Sequence, residues 1–133
     1  MTTGESHVEL VDGTTVVHVV GDLDVTTVKR FREAVVTGLP AGPLLVDLGR
    51  CGFLDSAGLH LLFQLVRPRD GRRTAVSFLV PAECPVARVV EIAGLALSAP
   101  VCRTLDEARS ALAVPVEGAA PLTPVRRPGS EAG

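Results

Sequence analysis

A chain of 133 residues has the length of one domain and enough of it to bury a real core. Hydrophobic residues make up 47% of it, most of them Val, Leu and Ala, while Trp and Tyr are absent, so the surface lacks the aromatics on which single-stranded nucleic acid or a sugar would stack. The net charge of −2 gives no general attraction to DNA or anionic membranes, and no apolar run reaches the roughly 18 residues that would cross a bilayer.

Met1 to Glu5 is not a secretory n-region, so a cytoplasmic location is expected. Cys51, Cys84 and Cys102 are odd in number and lack CxxC spacing, which argues against a disulfide framework or a zinc site and for small apolar residues in a reducing compartment. Cys51 lies near Ser56, but nothing in the sequence supports a redox role for it.

Ser6 to Val11 and Thr14 to Val20 are β-rich runs separated by Asp12-Gly13, a hairpin signal. Val17 and Val19 alternate with Val16, His18 and Val20, as in an interior strand. His18 reads as a satisfied, partly buried histidine, since no second metal-type residue stands at useful spacing. Gly21-Asp22-Leu23-Asp24 ends this strand and leads into a helix from about Val25 to Gly38, capped by Asp24 or Thr26. Val28, Phe31, Val35 and Leu39 form its buried stripe, and Lys29, Arg30, Arg32 and Glu33 its wet face.

Leu44 to Leu48 suits a strand buried on both faces, followed by a connector from Gly49 to Leu54. Asp55-Ser56 then precedes a helix in which Leu59, Leu62, Phe63 and Val66 fall at i, i+3, i+4 and i+7, with His60, Gln64 and Arg67 as a polar stripe. This sets one serine hydroxyl at the mouth of a helix, where backbone N–H groups are unpaired and the dipole favours negative charge. Spacing alone leaves open whether Asp55 and Ser56 are only caps, worth about 1 kcal/mol, or carry a function.

Arg67 to Arg73 is a turn dense in arginine, read as a solvated loop in preference to a phosphate site. Thr74 to Val80 is another strand. Pro85, Val86, Val89, Val90 and Ala93 make a short helix that Gly94 stops. Leu95 to Arg103 carries the last and weakest strand, and Thr104 to Glu107 fits a capping box opening a helix with Leu105, Ala108 and Leu112 inward. From Val114 the periodicity is gone and Pro115, Pro121, Pro124 and Pro128 recur, so residues 114–133 are expected to be a disordered tail behind one domain, 5–113. The resulting order, β-β-α-β-α-β-α-(β)-α, predicts an α/β fold, with a mixed sheet of four to five strands and about four helices packed on it.

Phe53-Leu-Asp-Ser-Ala-Gly-Leu59, Val20-Gly-Asp-Leu-Asp24, Val46-Asp-Leu48 and the Gly94-Leu95 pair together resemble the STAS domain family, specifically the bacterial anti-sigma factor antagonists, across the whole folded part. The resemblance implies a regulator that does not catalyse and carries no cofactor or metal. Ser56 would be phosphorylated by an anti-sigma factor with ATP-dependent serine kinase activity and restored by a phosphoserine phosphatase, with no direct role for nucleic acid or membrane. Asp22, Asp24, Asp55, Ser56, Ala57, Gly58 and His60 would form the partner surface, with Gly58 letting another backbone approach the hydroxyl. This sequence departs from the family pattern in having Asp22 for Glu, Ala57 for a second hydroxyl, and His60 for a Gly or small residue. A STAS scaffold or sensor component, or a stand-alone transporter regulator, is the alternative.

Two enzyme-like readings fail on the residues. A nucleophile elbow wants Gly where Leu54 stands and an oriented histidine beyond the serine, whereas His60 follows on the same helix with no evident orienting acid. A phosphoaspartate receiver built on Asp47 would need a lysine after a late strand, and the only lysine is Lys29.

Overall fold

The computed structural model describes residues 6–34, 42–67 and 75–113. In chain order these form β1 (His7–Val11), β2 (Thr14–Leu23), α1 (Val28–Ala34), β3 (Leu44–Leu54), α2 (Ser56–Val66), β4 (Val76–Leu79), α3 (Ala87–Ala93), a 3₁₀ turn (Leu95–Leu97), β5 (Val101–Cys102) and α4 (Leu105–Leu112). The strands make one mixed sheet in the order β1-β2-β3-β4-β5. β1 runs antiparallel to β2 through the Asp12-Gly13 turn, where both residues have the positive φ of a tight hairpin, and every other pairing is parallel.

Strand alternation divides the core between two faces. Val17, Val19, Leu44, Val46, Leu48, Val76, Phe78 and Val80 share one cluster with Phe31 of α1, Leu61, Leu62 and Leu65 of α2, and Val90 of α3. Val16 and Leu45 pack on the other face with Ala108 of α4, flanked by Val11, Leu79, Cys102 and Leu112. Leu44 to Val46 are therefore buried on both sides, as their unbroken apolar run requires. The buried Ser77 hydroxyl donates to the Ala108 carbonyl at 2.8 Å, which satisfies it under α4.

Several boundaries differ from the sequence reading. Gly49 to Leu54 is not a connector, and Gly21 to Leu23 does not end β2. Both strands continue as a parallel pair through Leu23 and Leu54, with register shifts between His18 and Val20 and between Gly21 and Asp22. Cys51 and Leu54 are buried along this extension, and inter-strand pairing outweighs the weak strand propensity of Gly49 and Gly52. α1 begins at Val28 instead of Val25, because Asp24 first holds Thr26 and Thr27 in a turn. Its expected continuation through Val35 and Leu39 lies outside the described residues, as do most of the arginine-rich turn and the tail.

In α2 the buried positions are Gly58, Leu61, Leu62 and Leu65. That is the predicted spacing moved by one residue, and it was hidden because a glycine adds nothing to a hydrophobic pattern. Leu59, Phe63 and Val66 border the core, while Gln64 is half-buried and accepts from the Arg32 guanidinium at 2.6 Å, joining α2 to α1.

The last strand shrinks to Val101–Cys102. Gly94, in the left-handed conformation, ends α3, and the fully buried Leu95 starts a 3₁₀ turn instead of a strand. Leu105, expected inward, is half-exposed.

The capping box is present. Thr104 Oγ1 accepts from the Glu107 N–H, and the Glu107 carboxylate accepts from the Thr104 N–H. Thr104→Ala should therefore cost about 1 kcal/mol, read as a lower denaturant midpoint at unchanged m value.

Candidate functional site

The extended ends of β2 and β3 bring the Asp22–Asp24 segment beside the start of α2. Asp55 joins the two. It is the N-cap of α2, with Oδ1 accepting from the Gly58 N–H at 3.0 Å. Its Oδ2 accepts from the Val25 N–H, also at 3.0 Å. Both oxygens are thus engaged in holding the two segments in one geometry, with the Asp55 N–H donating to the Leu23 carbonyl beneath.

Asp24 is likewise turned to its own chain. Its Oδ1 accepts from the Thr26 hydroxyl at 2.6 Å and from the N–H groups of Thr26 and Thr27 at 2.9 and 3.2 Å. Those hydrogen bonds, the Thr26 hydroxyl's first among them, favour the charged form over the opposing effect of burial and hold the Asp24 carboxyl below its ordinary value. Thr27 Oγ1 closes the turn by donating to the Asp22 carbonyl at 2.9 Å. Asp22 alone of the three is exposed with its carboxylate in no hydrogen bond or ion pair among the described residues.

Ser56 is the first helical residue of α2 and is exposed. Among the described residues its hydroxyl makes no hydrogen bond. With Gly58 N–H taken by Asp55, the N–H groups of Ser56 and Ala57 are the donors of the helix end left without a partner among the described residues. Ala57 is half-buried and His60 exposed. Gly58 is buried, and a Cβ there would stand 2.2 Å from the Leu23 carbonyl oxygen and 3.0 Å from Leu54 Cδ2. The close approach that the glycine permits is therefore by the protein's own β2.

Two apolar groups that sequence reasoning missed flank these residues. Phe53 lies opposite Asp22 in the β2–β3 ladder and is 51% exposed, and Val25, which donates to Asp55, is 71% exposed. The available signal was the scarcity of Phe, which makes one at the foot of the Asp55-Ser56 turn conspicuous. The surface is thus an outward carboxylate, an exposed hydroxyl and two unburied apolar side chains on a rigid base, a composition suited to a protein partner.

Other chemistry finds little footing here. The Cys51 thiol is buried, and burial pushes it up to about 11, which leaves it an inert hydrophobe. Asp47 accepts from the Gly49 N–H and contacts His18, away from any lysine. Among the described residues no group of three or more His, Cys, Asp or Glu could hold a metal, and no helix is long and apolar enough to cross a membrane.

The comparisons agree with this architecture. An anti-sigma factor antagonist from Mycobacterium paratuberculosis superposes with a TM-score of 0.66 at 28% identity, over 82% of this chain and 93% of its own. SpoIIAA in its unphosphorylated form gives 0.57 at 23% identity, over 77% and 91%. A Thermotoga maritima protein gives 0.65 at 15% identity, over 84% and 97%. The last two likenesses concern the fold alone. No curated protein matches the chain. The description of the STAS domain matches residues 6–108, which is most of the sequence and all five strands, so the chain belongs to the STAS domain family.

Proposed function

We propose that this protein is an anti-sigma factor antagonist: it binds an anti-sigma factor that has serine kinase activity, frees the sigma factor, and is released when Ser56 is phosphorylated. The observation that carries this reading is an exposed Ser56 hydroxyl at the first position of α2, on a base that Asp55 braces against the end of β2. The description of the Mycobacterium paratuberculosis relative as an anti-sigma factor antagonist supports the same role. Phe53 and Val25 would provide the apolar anchors and Asp22 the outward charge that steers a basic partner. Ala57, Gly58 and His60 would shape the rest of the contact. Asp24 and Asp55 serve the partner indirectly, by holding the surface.

The protein is the substrate in this scheme. Ser56 Oγ takes the γ-phosphoryl group of ATP on the kinase, its proton leaves to the kinase or solvent, and ADP departs. A phosphatase hydrolyses the ester and returns the hydroxyl. The phosphate brings about −1.5 to −2 charges. Within the domain, the unpaired N–H groups of Ser56 and Ala57 and the α2 dipole tolerate that charge. Across an interface it meets Asp22 and must be desolvated, so the complex weakens with no refolding of the domain.

Intact mass after incubation with ATP and the host's anti-sigma kinases, beside a Ser56→Ala control, tests the reading. One added phosphate that disappears in the control is the expected result. A folded protein that gains none from any kinase would make Ser56 a helix-end residue and favour a scaffold or sensor role for the domain.

A further inference from the structure

On the α4 face of the sheet, away from Ser56, His18 stands between two carboxylates. Its Nδ1 lies 2.9 Å from Asp47 Oδ2 on β3, and its Nε2 lies 2.9 Å from Glu9 Oε2 on β1. The arrangement follows from register. His18 and Asp47 are direct neighbours in the parallel ladder, and Glu9 reaches across from the antiparallel edge strand. A neutral imidazole has one N–H and one lone pair, whereas ionised carboxylate oxygens only accept. Two contacts of hydrogen-bond length to two carboxylates therefore need two N–H donors. The ring, as the stronger base, is where the additional proton resides.

We propose that His18 is an imidazolium in the folded protein and that loss of its proton unfastens β1 from β3, making the edge strand the pH-sensitive joint of this domain. β1 is a shallow edge strand. Of its five residues only Val11 is even half-buried. The Ser6 hydroxyl, just ahead of β1, accepts from the Val20 N–H at 2.9 Å, and the Glu9–His18–Asp47 bridge ties β1 across β2 to β3. A strand with so few buried contacts opens at low free energy, so one charged bridge across two neighbours weighs heavily in its protection.

Among the groups facing His18, the two carboxylates favour the charged ring. From β1 come Glu9 and His7, whose ring stacks on His18 at 4.7 Å. From β3 comes Asp47. From α4, Arg109 lines the same cleft but is paired with Asp12 at 3.3 Å. Burial opposes the charge, the hydrogen bonds to Glu9 and Asp47 and their negative charge outweigh it, and the His18 pKa is raised from 6.5. The sign follows. The bridge contributes fully below the unfolded-state pKa of 6.5 and is lost as pH rises through the higher folded-state value.

NMR on the whole, unmodified protein tests this by two readings, the His18 ring-nitrogen shifts and the exchange of the β1 amides that pair with β2, corrected for intrinsic rates. We expect both His18 nitrogens protonated at pH 6.5, where a free histidine is about half charged. The titration midpoint should lie above 6.5, and β1 protection should fall measurably across it while Val46 and Phe78 keep theirs. Glu9→Gln should lower the midpoint and carry the loss of protection to lower pH with it. A midpoint at or below 6.5, or β1 protection indifferent to the charge on His18, would overturn the proposal. Neither reading depends on Ser56, so failure here is distinct from failure of the partner-switching role.

Discussion

Gly58→Ala is expected to destabilise the domain by about 3 kcal/mol, at the upper end for overpacking, and to lower Tm by roughly 15 °C. Helix propensity predicts the opposite sign, since alanine in place of a helical glycine is ordinarily favourable by about 1 kcal/mol. Contact geometry decides between them. The new methyl group would stand 2.2 Å from the Leu23 carbonyl oxygen, and backbone paired with Leu54 in the β2–β3 ladder cannot step aside as a side chain can. Relief must come from lifting the first turn of α2 off β2, which strains the Asp55 bonds to Gly58 and Val25. Gly52→Ala is the internal comparison. There the nearest atom to a Cβ is Asp22 Oδ1 at 3.2 Å, the end of a mobile side chain, so the cost should stay below about 1 kcal/mol. Denaturant unfolding of the two variants beside the parent measures both. Equal stability of Gly58→Ala and the parent would mean that α2 is not seated on β2 as described.

What the chain reveals in advance follows the range of the forces involved. The Asp12-Gly13 hairpin, the Asp55 cap and the Thr104–Glu107 capping box are set by residues within a few positions of one another, and each was legible. The length of β3 was not. Gly49 to Leu54 reads locally as a connector, and only the partner ladder from β2 makes it a strand. Leu95 to Arg103 does carry the last and weakest strand, but its shortness was not legible, since the run gains only two residues of pairing with β4. In the site, Ser56 and its place at a helix mouth were readable from Asp55 and the periodicity after it. That Asp55 also holds Val25, thirty positions earlier in the chain, was not, and neither was the exposure of Phe53. The satisfied, half-buried state expected for His18 is present, but its partners Glu9 and Asp47 lie 9 and 29 residues away and are brought together only by the sheet.

Ser56→Asp should bind the partner kinase about thirtyfold more weakly than Ser56→Ala, a difference of roughly 2 kcal/mol, as expected for a carboxylate set against like charge in an interface. The size of the gap matters less than what removes it. If charge is the cause, added salt should narrow it, because exposed like charges are screened over about 10 Å at 0.1 M. If the longer side chain merely obstructs the partner, the gap should be indifferent to salt. Asp22→Asn gives the second arm. Asp22 is the carboxylate of this surface that holds nothing together, so its neutralisation should leave stability unchanged and recover part of the binding lost in Ser56→Asp. The same change at Asp55 is no substitute, since an amide in place of Oδ1 or Oδ2 would set an N–H₂ group against the N–H of Gly58 or Val25 and loosen the surface being measured. Isothermal titrations of the two Ser56 variants, each with and without Asp22→Asn and at two salt concentrations, separate the causes. A coupling of zero between positions 22 and 56 would remove local charge as the basis of the switch, because nothing else in the domain needs to change when Ser56 acquires its phosphate.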